Sequence, residues 1–397
     1  MKILVGVTGG IAAYKALELV RLFVKNGDEI QVVMTEGAKA FIQPLSFQAL
    51  SGKPVRDGVF NTEQEAGMGH IELARWADLI VIAPATAETL AKLRMGRAND
   101  LLTTLILATD KPIMLAPAMN RFMWNNDATV ENVAVLESRG LVVLQPDSGE
   151  QACGEIGGGR MPEPQTIFDE ATKFLTANKI LKNFWQNKKV LITAGPTYED
   201  IDPVRFIGNK SSGKMGFAIA ETAVKFGAEV VLIAGPVALK TSAKLERKDV
   251  RTAKQMFDEV KKQYLNADYF ISVAAVADYR VAKPSENKIK KNANKNGLTL
   301  ELVKNPDIVA WVAEQDSKIK VIGFAAETEN VLHYAKQKLI NKKIDLICAN
   351  QVGEGKGFAQ NENQLTLISN LATKALKSSN KKQQAFELLE FIAQENI

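Results

Sequence analysis

The stretch MKILVGVTGGIAAYKALELVRLFVKNGDEIQVVMT (1–35) contains the unit on which the rest of the chain is built. Its apolar run at residues 2–8 is nearly continuous, as expected of a parallel strand that is covered on both faces. Leu17, Val20 and Val24 follow at helical spacing, and a glycine ends the helix before a second apolar run. This order of strand, helix and strand predicts an α/β fold with a doubly wound parallel sheet.

The same alternation recurs along the chain of 397 residues. The later apolar runs of the first half are LIVIAPA (79–85), PIMLAPA (112–118) and LVVLQPD (141–147). After the polar segment NFWQNKK (183–189) the pattern restarts, with KKVLITAGP (188–196), EVVLIAG (229–235), YFISVAA (269–275), KVIGFAA (320–326), DLICAN (345–350) and LTLIS (365–369). We therefore expect two tandem doubly wound Rossmann-like domains, at residues 1–185 and 186–397.

The composition of the chain argues against several classes of protein, namely nucleic-acid-binding, membrane-spanning and disulfide-rich secreted proteins. The chain is 46% apolar and 24% charged with a net charge of +5, which permits small anionic substrates but does not favour nucleic acid. No apolar run approaches the roughly 20 residues of a membrane span, and the first residues are interpreted as a strand rather than a signal peptide. The two cysteines, Cys153 and Cys348, exclude a disulfide framework and fit a reducing compartment, so we expect a cytoplasmic protein.

Three features of the first half are candidates for ligand binding. The pair Gly9-Gly10 follows a strand and opens a helix, which suits a single phosphate but also a turn without a ligand. His70 follows glycines and could act as a base or hold a carboxylate, although a lone histidine is usually structural. Asn120 follows a strand end, where ligands of parallel sheets collect and where turn-forming asparagines are equally common.

The segment QACGEIGGGRMPEP (151–164) is rich in glycine and flanked by prolines, so we predict a flexible flap. A thiol at Cys153 in such a flap could close over a substrate and donate a proton. Arg160 in the same flap could pair with a carboxylate or a phosphate. The alternative is a buried and inert cysteine.

The motifs of the first half resemble those of the flavin-dependent cysteine decarboxylases, and within them phosphopantothenoylcysteine decarboxylase. They are TGGIAAYKA, GMGHIELARWADLIVIAPATA, RANDLLTTLILAT, PAMNRFMW and ACGEIGGGRM. The resemblance implies a flavodoxin-like fold, FMN as the cofactor, Cys153 as the proton donor, and His70 and Asn120 at the substrate carboxylate and thiol. The FMN-binding residues that it implies are Gly9, Gly10, Ile11, Thr35, Ala85, Thr86 and Asn99.

The second half contains TAGPTYEDIDPVRFIGNKSSGKMG (193–216), whose end could cradle a phosphate at a helix start or form a plain capped helix. The spacing of a P-loop is absent. Asp278 after a strand could reach a metal, a sugar or a base, or form a turn. Lys338 and Lys342 lie four residues apart, on one helix face, and suit either a triphosphate or solvent. The lysine-rich stretch 281–297 suits either a mobile lid or a solvated loop.

Together these motifs resemble phosphopantothenate–cysteine ligase of the CTP-using kind. They are GPT-x-E-x-IDPVR, N-x-SSGKMG, AAVADYR, K-I-K-K, KNPDI, GFAAET and LICAN. The resemblance implies that CTP and Mg²⁺ activate 4'-phosphopantothenate as an acyl-cytidylate that cysteine then attacks, and that Asn209 handles this acyl-cytidylate. The implied CTP contacts are Ala274, Asp278, Lys288, Asn305, Pro306, Asp307, Ile308, Phe324, Lys338 and Lys342. Lys288 is the expected catalytic lysine of its run, Mg²⁺ is expected with the CTP phosphates, and Asp278 is a candidate metal ligand.

The two resemblances describe consecutive reactions and together are those of the bifunctional enzymes of coenzyme A biosynthesis. They imply trimeric decarboxylase domains and dimeric ligase domains, and so a homo-oligomer of up to twelve chains. A non-catalytic flavin or nucleotide sensor would share the fold but would not need His70, Asn120, Cys153 and Asn209 together. A nicotinamide dehydrogenase would need a full dinucleotide fingerprint with an acidic ribose partner, and the sequence lacks a convincing pair.

Overall fold

The structure is a computed structural model, and it describes residues 1–58, 69–152, 154–290, 297–315, 318–327, 329–351 and 362–397. The chain divides into two compact units, Met1–Ala177 and Asn178–Ile397. The division falls within helix α9 (Pro164–Trp185), whose first half packs in the core of the first unit and whose last turns pack in the core of the second. No helix among the described residues is long and apolar enough to cross a membrane.

The first unit contains a parallel sheet, which in its described residues has five strands in the order β2-β1-β3-β4-β5. Its strands are β1 (Lys2–Val7), β2 (Glu29–Met34), β3 (Leu79–Ala85), β4 (Ile113–Pro117) and β5 (Val142–Val143). A separate antiparallel hairpin follows, formed by β6 (Asp147–Glu150) and β7 (Ile156–Arg160). The strand order is that of flavodoxin-like sheets, in which ligands bind beyond the carboxyl ends of the strands near β1 and β3.

Helices cover both faces of this sheet, and the first of them does so through an apolar stripe. In α1 (Lys15–Lys25) the buried residues are Ala16, Leu19, Val20 and Phe23, a spacing that matches one side of a helix. The remaining helices of this unit are α2 (Glu36–Lys39), α3 (Pro44–Ser51), α4 (His70–Trp76), α5 (Ala87–Met95), α6 (Leu101–Leu107), α7 (Arg121–Trp124) and α8 (Asp127–Ser138). Two separate apolar clusters, one on each face of the strands, confirm the doubly wound arrangement.

The second unit has a mixed sheet of eight strands within its described residues, in the order β12-β11-β8-β13-β16-β17-β19-β20. The first six pair in parallel and the last two are antiparallel. These strands are β8 (Lys189–Ala194), β11 (Glu229–Ala234), β12 (Glu246–Asp249), β13 (Tyr269–Ser272), β16 (Lys320–Glu327), β17 (Leu346–Gln351), β19 (Leu365–Ser369) and β20 (Thr373–Ala375). The strand order reverses between β8 and β13, which is where such folds place a ligand.

Three short strand pairs, five α-helices and a 3₁₀ turn (Tyr264–Asn266) complete this unit within the described residues. The short strands are β9 (Tyr198–Asp200) with β10 (Phe206–Gly208), β14 (Tyr279–Val281) with β15 (Leu302–Lys304), and β18 (Glu362–Asn363) with β21 (Ser379–Asn380). The helices are α10 (Lys214–Lys225), α11 (Ala253–Gln263), α12 (Ile308–Glu314), α13 (Val331–Asn341) and α14 (Lys381–Glu395). The pair β9–β10 lies in the connection that follows β8, and the pair β14–β15 lies in the connection that follows β13. Both pairs therefore begin from the carboxyl edge of the sheet, where the ligand is expected.

Candidate active sites

In the first unit, short contacts join the loops at the carboxyl ends of the central strands. The buried hydroxyl of Thr8 donates to the carbonyl of Pro84 at 2.7 Å and accepts from the N–H of Thr86 at 3.3 Å. Gly9 packs so closely on Gly37 that a Cβ at position 9 would lie 2.8 Å from the Gly37 carbonyl group. The loops after β1, β2 and β3 therefore form one surface, on which a side chain at position 9 has no room.

There is open space beside Gly10, where the phosphate is expected. A Cβ built on Gly10 contacts nothing within 4 Å, and a 3₁₀ turn (Ile11–Tyr14) begins immediately afterwards. The backbone N–H groups at the start of such a turn are suitable donors to a phosphate. Thr35 on the neighbouring loop begins α2 as its N-cap and is joined to β1 by a hydrogen bond from its N–H to the Val7 carbonyl, 3.1 Å. These residues fit the phosphate of a mononucleotide such as FMN.

Two more predicted flavin contacts lie at the ends of β3 and before α6. Ala85 is fully buried as the last residue of β3, and Thr86 begins α5 by accepting from the N–H of Thr89. Asn99 is exposed and directly precedes Asp100, the N-cap of α6, which Lys92 contacts at 3.1 Å. Burial alone would raise the pKa of Asp100, but hydrogen bonds from Thr103 and Lys92 outweigh it and lower that pKa.

His70 is the first residue of α4, with Gly69 as the N-cap. Because α4 leads through two residues into the amino end of β3, its own start lies toward the carboxyl edge of the sheet. Helix α6 likewise leads into the amino end of β4, so its start, beside Asn99, lies toward the same edge. Helix α4 packs against α6. The structure thus brings His70 and Asn99 to the edge that also carries the glycine pair.

Asn120 is fixed by hydrogen bonds on both sides of its amide. Its Oδ1 accepts from the N–H of Phe122 at 2.8 Å and so caps α7, and its Nδ2 donates to Glu155 Oε2 at 2.6 Å. A backbone N–H can bond only to the oxygen of this amide, so the capping bond directs the Nδ2 donor toward the hairpin. The local structural role that the sequence left as an alternative is therefore present as a helix cap, and the same side chain also directs a donor to the hairpin.

The glycine-rich flap belongs to the hairpin β6–β7, which packs on the loop of Asn120 and replaces the loop that the sequence predicted. Its flexibility stays a prediction. Gly159 has φ +114°, and its carbonyl accepts from the N–H of Met119 at 2.8 Å. A Cβ at Gly159 would lie 2.5 Å from the Met119 carbonyl oxygen, and one at Gly157 would lie 2.9 Å from the Arg121 side chain. The glycines are needed because two backbones meet here without space for side chains.

Gln151 is a residue that the sequence interpretation missed, and it joins the hairpin to the Asn120 loop. Its Nε2 donates to the carbonyls of Met119 and Gly158, both at 3.1 Å, and its Oε1 accepts from the N–H of Arg121 at 3.1 Å. Cys153 lies outside the described residues, but Gln151 and Gly154 on either side are linked by a 2.8 Å backbone hydrogen bond. The glutamine gives no sequence signal because most of its partners are backbone groups, two of them in a loop about thirty residues away.

Arg160 lies at the end of β7 and contacts Glu163 at 3.8 Å, and Lys15 contacts the same carboxylate oxygen at 2.6 Å. The expected carboxylate partner of Arg160 is therefore, in this structure, a residue of the chain itself. Lys15 begins α1 directly after the turn at residues 11–14, so this ion pair connects the hairpin end with the expected phosphate loop.

In the second unit, glycines bring the loop after β8 against the start of α10. Gly195 and Gly213 both have positive φ, and a Cβ on either would lie 3.2 Å from Val237. A Cβ at Gly216 would lie 2.5 Å from that of Ala194. The side chain of Ser211 accepts from the N–H of Gly213 at 3.3 Å. Gly213 is the N-cap of α10 and has no side chain with which to cap it. The glycines therefore let the two loops pack backbone against backbone at the start of α10.

Asn209 follows β10 and donates from Nδ2 to the carbonyls of Val276 at 2.9 Å and Ala275 at 3.4 Å. It therefore contacts the loop after β13, which contains the predicted CTP residues Ala274 and Asp278. Its neighbour Gly208 has no room for a side chain, since a Cβ would lie 2.8 Å from the Tyr198 ring. The buried Thr197, which the sequence interpretation missed, joins the same loops by accepting from the N–H of Ala277 at 3.0 Å.

Asn305 connects the loop of Asp278 with the start of α12. Its N–H donates to the Asp278 carbonyl and its Nδ2 donates to the Ala277 carbonyl, both at 2.8 Å. The carboxylate of Asp278 is exposed beside this junction. Pro306 follows, Asp307 caps α12 by accepting from Ala310, and Ile308 is buried below the cap. The structure thus brings Asn305, the first of the predicted residues 305–308, next to Asp278.

Both lysines predicted to bind a triphosphate contact carboxylates. Lys338 Nζ lies 2.6 Å from Glu327 Oε1, and Lys342 Nζ lies 2.8 Å from Asp307 Oδ2. Burial alone would raise the pKa of Asp307, but Lys342 and the helix N–H of Ala310 outweigh it and lower that pKa. Phe324 is half-buried in the same strand as Glu327. No described residues form a group of three or more metal ligands, so the candidate Mg²⁺ contact at Asp278 stays a prediction.

The segment before Lys288 is attached to the loop between β9 and β10. The N–H of Ser285 donates to the carbonyl of Ile201 at 2.9 Å, and the N–H of Ile289 donates to Asp202 Oδ2 at 3.0 Å. Lys288 itself is exposed. Residues 285–289 are hydrogen-bonded at both ends and carry Lys288 on their exposed side, so both alternatives for this lysine-rich stretch stay predictions. Residues 291–296 lie outside the described part.

Two family models cover nearly the whole chain. The family described as Flavoprotein matches residues 1–176, and the family described as DNA/pantothenate metabolism flavoprotein C-terminal domain matches residues 185–396. A solved structure, the C-terminal domain of Coenzyme A biosynthesis bifunctional protein CoaBC, is 39% identical with a TM-score of 0.45, covering 53% of this chain and 96% of its own.

Curated relatives are similar along the full length, and each is called Coenzyme A biosynthesis bifunctional protein CoaBC. The protein of Vibrio vulnificus strain CMCP6 is 50% identical, with 98% of this chain and 97% of the relative covered. That of Escherichia coli K12 is 52% identical, with 92% and 90% covered. That of Bacillus subtilis 168 is 42% identical, with 98% and 96% covered.

Proposed function

The chain belongs to the family of bifunctional coenzyme A biosynthesis enzymes, and from this premise we propose how its two units divide the reactions. The second unit joins cysteine to 4'-phosphopantothenate with CTP. The first unit decarboxylates the resulting 4'-phosphopantothenoylcysteine to 4'-phosphopantetheine. The order follows from the chemistry, because the ligation introduces the carboxylate that the decarboxylation removes.

The proposal for the first unit is supported chiefly by the orientation of Asn120. Its Oδ1 is engaged by the N–H of Phe122, so Nδ2, which now donates to Glu155 and more weakly to Gln151, is the group that would exchange an acceptor for the substrate carboxylate. FMN, when bound, supplies the two-electron redox chemistry that makes the carboxylate a leaving group. Gly9, Gly10 and Thr35 would hold its phosphate, and the surface of Ala85, Thr86 and Asn99 would contact the remainder.

Proton transfer in this unit is assigned to Cys153, which the hairpin would bring over the substrate. Serine is nearly isosteric with cysteine but is a much weaker acid than a thiol of pKa about 8.5. Cys153→Ser should therefore bind FMN and release CO₂ once, but leave a product two hydrogens short of 4'-phosphopantetheine. An anaerobic single turnover followed by mass analysis measures this, and normal turnover by the variant would remove the cysteine from the role of donor.

The proposal for the second unit is supported by the contact between Asn209 and the loop of Ala274 and Asp278. The 4'-phosphopantothenate carboxylate attacks the α-phosphorus of CTP and pyrophosphate leaves, giving an acyl-cytidylate. The cysteine amine then attacks the acyl carbon and CMP leaves. Asn209 orients the activated acyl group, Lys288, Lys338 and Lys342 offset phosphate charge, and Mg²⁺ accompanies the triphosphate.

Nucleotide choice tests this assignment directly. Full-length protein with 4'-phosphopantothenate, cysteine and Mg²⁺ should release CMP from CTP far faster than it releases AMP from ATP. Comparable release from both nucleotides would contradict a CTP-specific site. A cytoplasmic homo-oligomer with trimeric decarboxylase domains and dimeric ligase domains completes the proposal, and analytical ultracentrifugation measures that assembly.

A further inference from the structure

Asp202, in the turn between β9 and β10, is a buried carboxylate with an unusually full set of donors. Its side chain is 0% exposed. Oδ1 accepts from the backbone N–H groups of Val204 at 2.9 Å and Arg205 at 2.8 Å. Oδ2 accepts from Nε of Arg205 at 3.1 Å, from its NH2 group, and from the N–H of Ile289 at 3.0 Å. One carboxylate thus forms the turn and reaches a segment distant in sequence.

Ile289 is bound through both of its backbone polar groups. Asp202 accepts from its N–H, and the NH2 group of Arg205 donates to its carbonyl at 3.0 Å. Four residues earlier, the N–H of Ser285 donates to the carbonyl of Ile201 at 2.9 Å. The backbone on the C-terminal side of Lys288 is consequently fixed to the turn, while the Lys288 side chain remains exposed to solvent.

We infer that Asp202 is a positioning residue for ligation, which fixes Ile289 and so sets the point from which the Lys288 ammonium reaches the nucleotide phosphates. The inference rests on the proposed function of the second unit. The turn of Asp202 leads through β10 directly to Asn209, so one carboxylate also joins the strand that presents Asn209 to the segment that presents Lys288. Holding two groups in fixed relation lowers the entropic cost of the reaction.

The negative charge of Asp202 is essential to this arrangement. Both oxygens face N–H donors, so an amide in their place would turn its own NH₂ group toward either the turn or Ile289. The hydrogen bonds of Arg205, followed by those of Ile289 and the turn, outweigh burial and hold the pKa of Asp202 well below its ordinary value. The group therefore stays charged throughout the neutral range in which kinetics are measured.

The kinetic test compares Asp202→Asn with Asp200→Asn in the full-length protein. Asp200, two residues earlier, pairs with Arg251 at 2.6 Å on the surface and so engages a different partner. We expect Asp202→Asn to lower the kcat of CTP-dependent CMP release by about ten- to a hundredfold, and Asp200→Asn to change it by about twofold or less. Decarboxylation of supplied 4'-phosphopantothenoylcysteine should be unchanged in both. Wild-type ligation by Asp202→Asn would overturn the inference.

A double-mutant cycle separates positioning from general stabilisation. If Asp202 acts through Lys288, adding Asp202→Asn to Lys288→Ala should lower the ligation rate little further. Effects that multiply in the double variant would overturn the inference. Wild-type ligation by Lys288→Ala would also overturn it, since the lysine would then need no positioning.

Limited trypsin digestion tests the contact itself without relying on activity. Asp202→Asn should be cleaved at the Lys288–Ile289 bond at least several-fold faster than wild type and Asp200→Asn, while cleavage at lysines of the first unit should be unchanged. Equal cleavage rates would overturn the inference even if the wild-type protein showed no ligase activity. If Asp202→Asn does not fold, Asp202→Glu replaces it, because the longer carboxylate keeps the charge but displaces Ile289.

Discussion

The hairpin of the first unit and the segment Ser285–Ile289 of the second unit are attached to their sites in opposite ways. The hairpin is held by a neutral amide, Gln151, and by glycines that let two backbones touch. The segment is held by a buried charge, Asp202, with Arg205 as its partner. Each of the two segments includes a residue that is predicted to be catalytic, Cys153 in the first and Lys288 in the second. The comparison therefore concerns how the chain fixes reactive groups that lie outside its main sheets.

The difference has a physical consequence for what each site tolerates. A contact between backbones is specified by shape, and a single Cβ in the wrong place prevents it. A charged cluster is specified by the number of donors around the carboxylate, and it fails when the charge or the donor count changes. The hairpin should therefore be most sensitive to added volume, and the lysine segment to substitutions that conserve volume and remove charge.

The largest effect should come from Gly159→Ala. Position 159 has φ +114°, and its Cβ would lie 2.5 Å from a backbone oxygen, so the hairpin must move away from Met119. We expect a loss of about 2–4 kcal/mol in stability, since steric overlap and backbone strain add, and about a hundredfold lower decarboxylation at saturating substrate. Thermal unfolding and CO₂ release measure the two quantities.

Gly158→Ala is the matched control for this variant. Its Cβ would make ordinary contacts at 3.7 Å with Trp124 and 3.8 Å with Ser148, and its φ is not in the left-handed region. Stability and decarboxylation should both stay close to the wild-type values. If the two alanine variants behave alike, shape does not specify the hairpin contact.

A smaller effect is expected from Gln151→Ala. The variant leaves the carbonyls of Met119 and Gly158 and the N–H of Arg121 without the glutamine, at a cost of about 1–3 kcal/mol. Decarboxylation should fall about tenfold while the flavin spectrum is retained. Gln151→Glu keeps the acceptor but loses both donors, so activity equal to wild type in this variant would contradict the role of the amide.

The sequence predicted the sheets better than the connections between them. The apolar runs at residues 2–8, 29–35, 79–85 and 112–118 all contain strands, because burial on both faces leaves a continuous signal. The run 141–147 contains a strand of two residues, Val142–Val143. The hairpins at 147–160 and 198–208 were missed, since glycine-rich or charged strands have no hydrophobic alternation and depend on contacts distant in sequence.

The candidate sites show the same limit. Residues at strand ends, such as Gly9 and Asn120, are indicated by their place after an apolar run and lie at the expected edge. Ala85 and Asn209 were implied only by the family resemblance. Gln151 and Asp202 could not be found in this way, because most of their partners are backbone groups, and Ile289 is 87 residues from Asp202. What the sequence cannot show is which loop each polar side chain reaches once the strands are in place.

The smallest effect should come from Glu327→Gln, and its sign is the informative part. Lys338 contacts Glu327 at 2.6 Å, so a triphosphate that recruits Lys338 must first separate this pair. An exposed ion pair contributes about 0.2–1 kcal/mol, so its removal should lower the KM for CTP by roughly 1.4- to 5-fold with kcat unchanged. The gain should shrink in high salt, where the original pair is already screened. Glu327 suits this test better than Asp307, since the latter also caps α12.

Glu329→Gln removes the same charge two residues away and is the control for net charge. A higher KM in Glu327→Gln would mean that the carboxylate itself assists nucleotide binding, most simply as a ligand of the accompanying metal ion, and that the second unit uses this charge cluster for more than holding its lysine.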